Sequence, residues 1–135
     1  MNGKERVLRA LRLQEVDRVP WVPFTGAHVA KLINSDAETL LKNADLLVNA
    51  VSIAAERYFA DGVCSVFDLQ VEAEALGCTL TWAKKNPPAV TGHVLSKEIN
   101  LSDLPEFTKE LGRLPVVFEA TRRLVTELRD EKAVF

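Results

Sequence analysis

Two cysteines, Cys64 and Cys78, are all that 135 residues contain. They are too few for a disulfide scaffold and too widely spaced for a Cys-x-x-Cys metal knuckle, so reduced thiols are expected. Cationic excess is missing as well: seventeen Lys and Arg against nineteen Asp and Glu leave a net charge of −2. A phosphate-backbone binder carries a basic excess or stripe, so no nucleic-acid partner is expected. No apolar run approaches the roughly 18 residues that cross a bilayer, so no membrane partner is expected either. Met1-Asn2-Gly3-Lys4-Glu5-Arg6 opens directly into a charged amphipathic segment rather than a secretory leader, which predicts a cytoplasmic protein. Glycine-rich phosphate loops, a Walker motif, Gly-x-Ser-x-Gly, His-Glu-x-x-His and EF-hand loops are all missing. Repeats at periods of about 20–50 residues are missing too, which excludes a solenoid.

What the sequence does hold is enough apolar material, 47%, to build the core of one domain. A charged fraction of 27% excludes a disordered chain. A first helix is predicted from about Gly3 to Gln14, with Val7, Leu8 and Leu11 on one face. Lys4, Arg6, Arg9 and Arg12 fill the rest and read as a solvated face. Asp17 to Phe24 reads as a short extended stretch, irregular because Pro20 and Pro23 remove two donors. Ser35-Asp36-Ala37-Glu38 has the pattern of a capping box centred on Ser35. One long helix should follow, with Leu40, Ala44, Leu47, Val51, Ala54 and Tyr58 at steps of three and four. Gly62 suits the left-handed position that ends it.

Val63 to Phe67 is compact and apolar up to Asp68, as a strand buried on both faces would be, and this favours a parallel sheet. Leu69 to Leu76 predicts a short acidic helix closed by Gly77. Thr79 to Trp82 and Ala89 to Leu95 read as a hairpin around Asn86-Pro87-Pro88, and Leu101 to Glu106 as a loop. Pro115 starts a last helix with Val117, Ala120, Leu124 and Leu128 as its stripe. Lys132 to Phe135 looks like a strand just begun, which predicts a truncated chain. The order is strand, helix, strand, excursion, helix, strand: the start of a right-handed β/α series. A (β/α)8 TIM barrel needs roughly 250 residues, so the expected fold is α/β, the N-terminal third or so of such a barrel. The stripes at Leu47/Val51 and Leu124/Leu128 are then expected to need a continuous sheet over them, and self-association or association with the remaining C-terminal part follows.

Asp68 is the leading catalytic candidate, because it ends a buried strand where parallel α/β folds build their sites. It can equally cap the helix that begins near Leu69. Glu72 and Glu74 point to different helix faces, so at most one joins Asp68, and Glu72 is the better placed; the alternative is two solvated charges. His28, in the Gly-bearing loop Phe24-Thr25-Gly26-Ala27-His28, is a second substrate-binding candidate or else an ordinary loop histidine. His93 reads as structural, Cys64 as a small core residue and Cys78 as a strand-edge residue. No metal ligand set is visible.

Five pieces in order carry a resemblance: Arg18-Val19-Pro20-Trp21; Tyr58-Phe59-Ala60-Asp61-Gly62; Phe67-Asp68-Leu69; Val71-Glu72-Ala73-Glu74-Ala75-Leu76-Gly77-Cys78; and Gly112-Arg113-Leu114-Pro115. Together they resemble the uroporphyrinogen decarboxylase superfamily, and more closely its branch of corrinoid-dependent methyltransferases of the methylcobamide:coenzyme M type. The resemblance implies a (β/α)8 barrel with its site at the C-terminal mouth. In the decarboxylases, which act in porphyrin biosynthesis, an Asp matching Asp68 gathers pyrrole N–H groups, and an arginine-bearing loop holds substrate carboxylates. The matching stretch here, Trp21 to Ala30, has no arginine. For the methyltransferase branch the resemblance implies zinc, held by His and Cys from later in the barrel, and a methyl-corrinoid donor. Asp68, His28 and Glu72 are then the pocket candidates, beside a tetrapyrrole, a corrinoid or a corrinoid protein. The 135 residues alone should be inactive. The alternatives are a uroporphyrinogen decarboxylase and a non-catalytic domain that binds a tetrapyrrole or corrinoid protein.

Overall fold

The computed structural model describes residues 1–96 and 100–135. Helix α1, Gly3–Leu11, is capped by the Asn2 side chain, which accepts from the Glu5 N–H at 2.8 Å. A 3-10 helix, Gly26–Ile33, leads to the short α2, Ala37–Leu41, and then to α3, Ala44–Arg57. Strand β1 is Gly62–Val63, followed by α4, Val71–Ala75. Strands β2, Thr79–Thr81, and β3, Ala89–Gly92, precede α5, Leu114–Leu128, and β4, Ala133–Val134.

β1 and β4 pair in parallel, Gly62 opposite Ala133 and Val63 opposite Val134. The pairing runs on past the strand ends: Ala133 N–H donates to Asp61 O at 3.1 Å, and Ser65 N–H to Phe135 O at 2.8 Å. β2 and β3 form a separate antiparallel hairpin with a register shift at Thr79/Leu80. The fold is therefore mixed α/β, with one parallel pair among the described residues.

The core is built on α3, which packs against α5 and against the 3-10 helix. Leu40, Leu41, Leu124 and Val29 are fully enclosed. Helix α1 lies over β4 and is stitched to the other end of the chain: Lys4 N–H donates to Glu131 O at 2.8 Å, and Asn2 Nδ2 to Asp130 O at 3.0 Å.

Several expectations change. The long helix is two helices, because Asn43 turns to extended backbone and caps α3 by accepting from Leu46 N–H at 3.1 Å. A short amide side chain competes with the helix ladder in this way. The cap of α2 is Asp36 rather than Ser35; its carboxylate accepts from Thr39 N–H at 2.9 Å and Thr39 Oγ1 at 3.1 Å. That contact, foremost the Thr39 N–H, holds the Asp36 carboxyl below its ordinary value. Phe59, at φ +52°, takes the left-handed position expected of Gly62. Gly62 lies in β1, where a Cβ would come within 2.9 Å of Ala133 O.

The extended stretch around Trp21 makes a single backbone bond to the sheet, from Asp61 N–H to Trp21 O at 2.8 Å; Pro23 has no N–H with which to continue a ladder. Helix α1 stops at Leu11 rather than Gln14, and the loop after Asn100 holds a 3-10 turn, Leu101–Asp103. Arg6 is not on a solvated face but 7% exposed. The stripes of Leu47, Val51 and Leu124 are buried without further strands, because α3 and α5 cover each other.

Candidate functional site

A cleft of about 360 Å³ opens where the extended Trp21 stretch and β1 run out. Phe24 and Phe67, one from each, stack at 5.0 Å with 17° between their rings. The loop Phe24 to His28 forms one wall, Phe67 to Gln70 the floor, and Lys85 and Pro87 of the hairpin the far side, with Lys31 at the rim. His28 lines the cleft with its ring fixed at one end: Nε2 lies 2.9 Å from the Tyr58 hydroxyl.

Asp68 belongs to the cleft floor, yet its side chain is fully enclosed. Oδ1 accepts from Gln70 N–H at 2.9 Å, which is the local turn-capping role left open by the sequence. Oδ2 lies 2.8 Å from Arg113 Nη2, charge against charge with no aligned N–H bond between them. Arg113 is itself 5% exposed. Its Nε donates to Glu74 Oε2 at 2.6 Å, Nη1 to Leu41 O at 3.3 Å, and its guanidinium lies 4.7 Å from the Trp82 ring centre. Lys42 Nζ also sits 4.2 Å from that ring, so both contacts are of the cation–π kind. Gly112 makes the approach possible: it takes φ +53°, and a Cβ there would meet Ala75 N of α4 at 3.3 Å.

At the other end of β1 a second buried cluster is inverted in charge. Asp61, 2% exposed, accepts from Arg6 Nη1 at 2.5 Å, Arg18 Nη1 at 2.6 Å, Arg18 Nη2 at 2.8 Å and Trp21 N–H at 2.7 Å. Arg6 also grips Asp17 with Nε and Nη2 at 2.6 and 2.7 Å. Burial, the strongest single influence, pushes the Asp61 carboxyl up. The Trp21 N–H and the two guanidinium groups together overcome it and hold the carboxyl below its ordinary value. The Arg6 hydrogen bond holds Asp17 well below the usual carboxylate range, and the Asp17 bond raises Arg6 in return. Burial raises the Cys64 thiol, which makes it a poor nucleophile.

The structure brings His28 and the backbone of Asp68 to one cleft and leaves Glu72 outside it, exposed on the outer face of α4. Val71 and Ala75 turn inward, so it is Glu74 that reaches the Asp68 cluster, through Arg113. Sequence reasoning missed Arg113, although a signal existed. A cation just before the first turn of a helix faces the positive end of the helix dipole, so it needs carboxylate partners nearby. Among the described residues no three His, Cys, Asp or Glu stand together as a metal site, and no helix is long and apolar enough to cross a membrane.

Comparison with known proteins gives a consistent neighbourhood. The family model described as uroporphyrinogen decarboxylase (URO-D) matches residues 2–135. The methylcobamide:CoM methyltransferase MtbA of Methanosarcina mazei is 29% identical over 132 residues, covering 90% of this chain and 37% of that protein. The methylated-thiol–coenzyme M methyltransferase of the same organism is 37% identical over 127 residues, covering 92% and 34%. A solved methyltransferase structure from Methanosarcina mazei superposes with a TM-score of 0.83 at 25% identity, over 99% of this chain and 41% of that one. The chain thus spans little more than a third of the curated relatives it matches.

Proposed function

Because the chain belongs to the uroporphyrinogen decarboxylase (URO-D) family, we propose that it forms the N-terminal part of a (β/α)8 barrel serving corrinoid-dependent methyl transfer. In this reading a methyl group passes from a methyl-corrinoid, carried by a corrinoid protein, to a thiol acceptor at the mouth that holds the cleft. The observation that carries it is the enclosure of Asp68. A carboxylate that gathered pyrrole N–H groups would have to face the cleft, whereas this one is fully enclosed and ion-paired with Arg113. The methyltransferase relatives, alike over about nine-tenths of this chain, support the same choice.

The chain's own residues then shape and line the site. Phe24 and Phe67 supply an apolar face, and His28 a polar ring nitrogen beyond the one bonded to Tyr58. Asp68 holds the floor loop from beneath. Zinc in such an enzyme would activate the thiol as thiolate, but the described residues offer no ligand set for it. One observation favours the decarboxylase reading instead: Lys31 and Lys85 place cations at the cleft that the Trp21 to Ala30 stretch lacks.

The test is a chimera in which residues 1–135 replace the matching N-terminal segment of the Methanosarcina mazei MtbA. Folded chimera should demethylate methylcobalamin in the presence of coenzyme M, while the 135-residue chain alone shows no turnover. Decarboxylation of uroporphyrinogen by the chimera, without methyl transfer, overturns the reading.

A further inference from the structure

We propose that Arg113 is the positioning residue of the cleft: one buried guanidinium sets the place of two of its walls without touching its contents. The proposal takes the cleft to be the site, as above, but its test needs no ligand. Two features of the geometry carry it. First, Arg113 meets four separate segments at once: the floor loop through Asp68, α4 through Glu74, the end of α2 through Leu41 O, and the hairpin through Trp82. Second, two of those four segments, the floor loop and the hairpin, line the cleft. Asp68 fastens the Gln70 N–H, and the chain following Trp82 supplies Lys85 and Pro87.

The chemistry suits that task. A guanidinium presents five donors in a rigid plane and stacks on an aromatic face, so it can fix several partners in one geometry. An ammonium carries the same charge without the fork. The ion pair to Asp68 is also close but unaligned. The bond that would complete the cluster is therefore not made, and the floor loop depends on charge and enclosure together.

Amide hydrogen exchange reads the two walls separately. The Gln70 N–H, bonded to Asp68 Oδ1, reports the floor; the Ala37 N–H, bonded to Lys84 O at 2.8 Å, reports the hairpin. In Arg113→Lys both amides should exchange about tenfold faster or more, while amides in the middle of α3, such as Val51, keep their wild-type rates. In Arg113→Ala, millimolar methylguanidinium should restore protection at both amides, and methylammonium should not. Unchanged exchange at Gln70 and Ala37 in the lysine variant overturns the proposal. So does equal acceleration of every amide, which would show a merely global contribution to stability. Failure of the methyl-transfer chimera with these exchange results intact would count against the functional reading alone.

Discussion

Strand β1 is flanked by two aspartates with enclosed side chains, Asp61 directly before it and Asp68 five residues after Val63, and the two are treated differently. Asp61, before the strand, receives two guanidinium groups and a backbone N–H, so its oxygens are bonded from several sides. Asp68, after the strand, receives one backbone N–H and an unaligned ion pair, and shares its arginine with Glu74. The first end ties together α1, the Trp21 stretch, β1 and β4; the second borders an open cleft. A fully satisfied buried network makes a rigid joint, while a partly satisfied one leaves a region able to shift. The difference teaches that bonding is concentrated at the closed end of the strand and sparser at the end that borders the cleft.

The sharpest way to break that comparison is at Asp61. Asp61→Ala leaves Arg6 and Arg18 without their shared partner, and removing one side of a buried ion pair costs about 3–5 kcal/mol. For a single domain that is a large share of the total stability, so a urea titration followed by circular dichroism at neutral pH should show the unfolding midpoint fall far below that of the wild type. A midpoint within error of wild type would mean that the closed end is not the rigid one.

Acid should probe the same joint more gently. Asp17 and Asp61 are both held below their ordinary carboxylate value, about 3.9. The unfolded chain therefore takes up protons first as the pH falls. Their contribution is complete at neutral pH, begins to fade as the pH approaches about 4 and is lost below the folded-state values. Thermal melts from pH 7 down to 3 should show this decline, and Asp17→Asn should make it shallower. A steeper decline in the variant would contradict the sign.

The smallest effect belongs to the cleft end and costs no measurable stability. A phenol is the better donor and imidazole nitrogen the better acceptor, so the Tyr58 hydroxyl should donate to His28 Nε2 and leave the proton on Nδ1. Nitrogen-15 shifts of the ring at alkaline pH should show this Nδ1–H tautomer in the native chain and its loss in Tyr58→Phe. Identical spectra would show that Tyr58 does not fix the ring.

The sequence made some of this legible and hid the rest for identifiable reasons. Periodicity revealed the buried faces of α3 and α5 but not that of α1, where Leu8 and Leu11 are exposed and Arg6 is buried; the apolar run before Asp68 revealed a parallel strand, although the ladder covers only Gly62–Val63 rather than Val63 to Phe67. It could not reveal the break at Asn43, where one side-chain hydrogen bond outweighs an uninterrupted apolar pattern. Both arginine clusters were hidden as well. Arg6 looks like every other basic residue on its helix until Asp61, far along the chain, is known to lie beneath it. Glu74 and Glu72 are equivalent in sequence, and only the position of Arg113 separates them. Periodicity reports which face is covered, whereas pairing of buried charges depends on which distant segments meet.

The stitching of α1 to residues 129–131 bears on the order in which the chain can assemble. Lys4 donates through its backbone to Glu131 O at 2.8 Å and through Nζ to Arg129 O at 2.5 Å, so α1 is held in part by residues made some 125 positions later. A nine-residue helix has little stability of its own in water. Closing so long a loop costs entropy that only the completed contacts can offset. On a ribosome α1 therefore emerges with Asp17 and then Asp61 as partners for Arg6, but without its β4-side contacts while α3 and the hairpin are built. Its full docking waits for α5 and β4, so the closed end of β1 is completed only after residues 129–135 have been made.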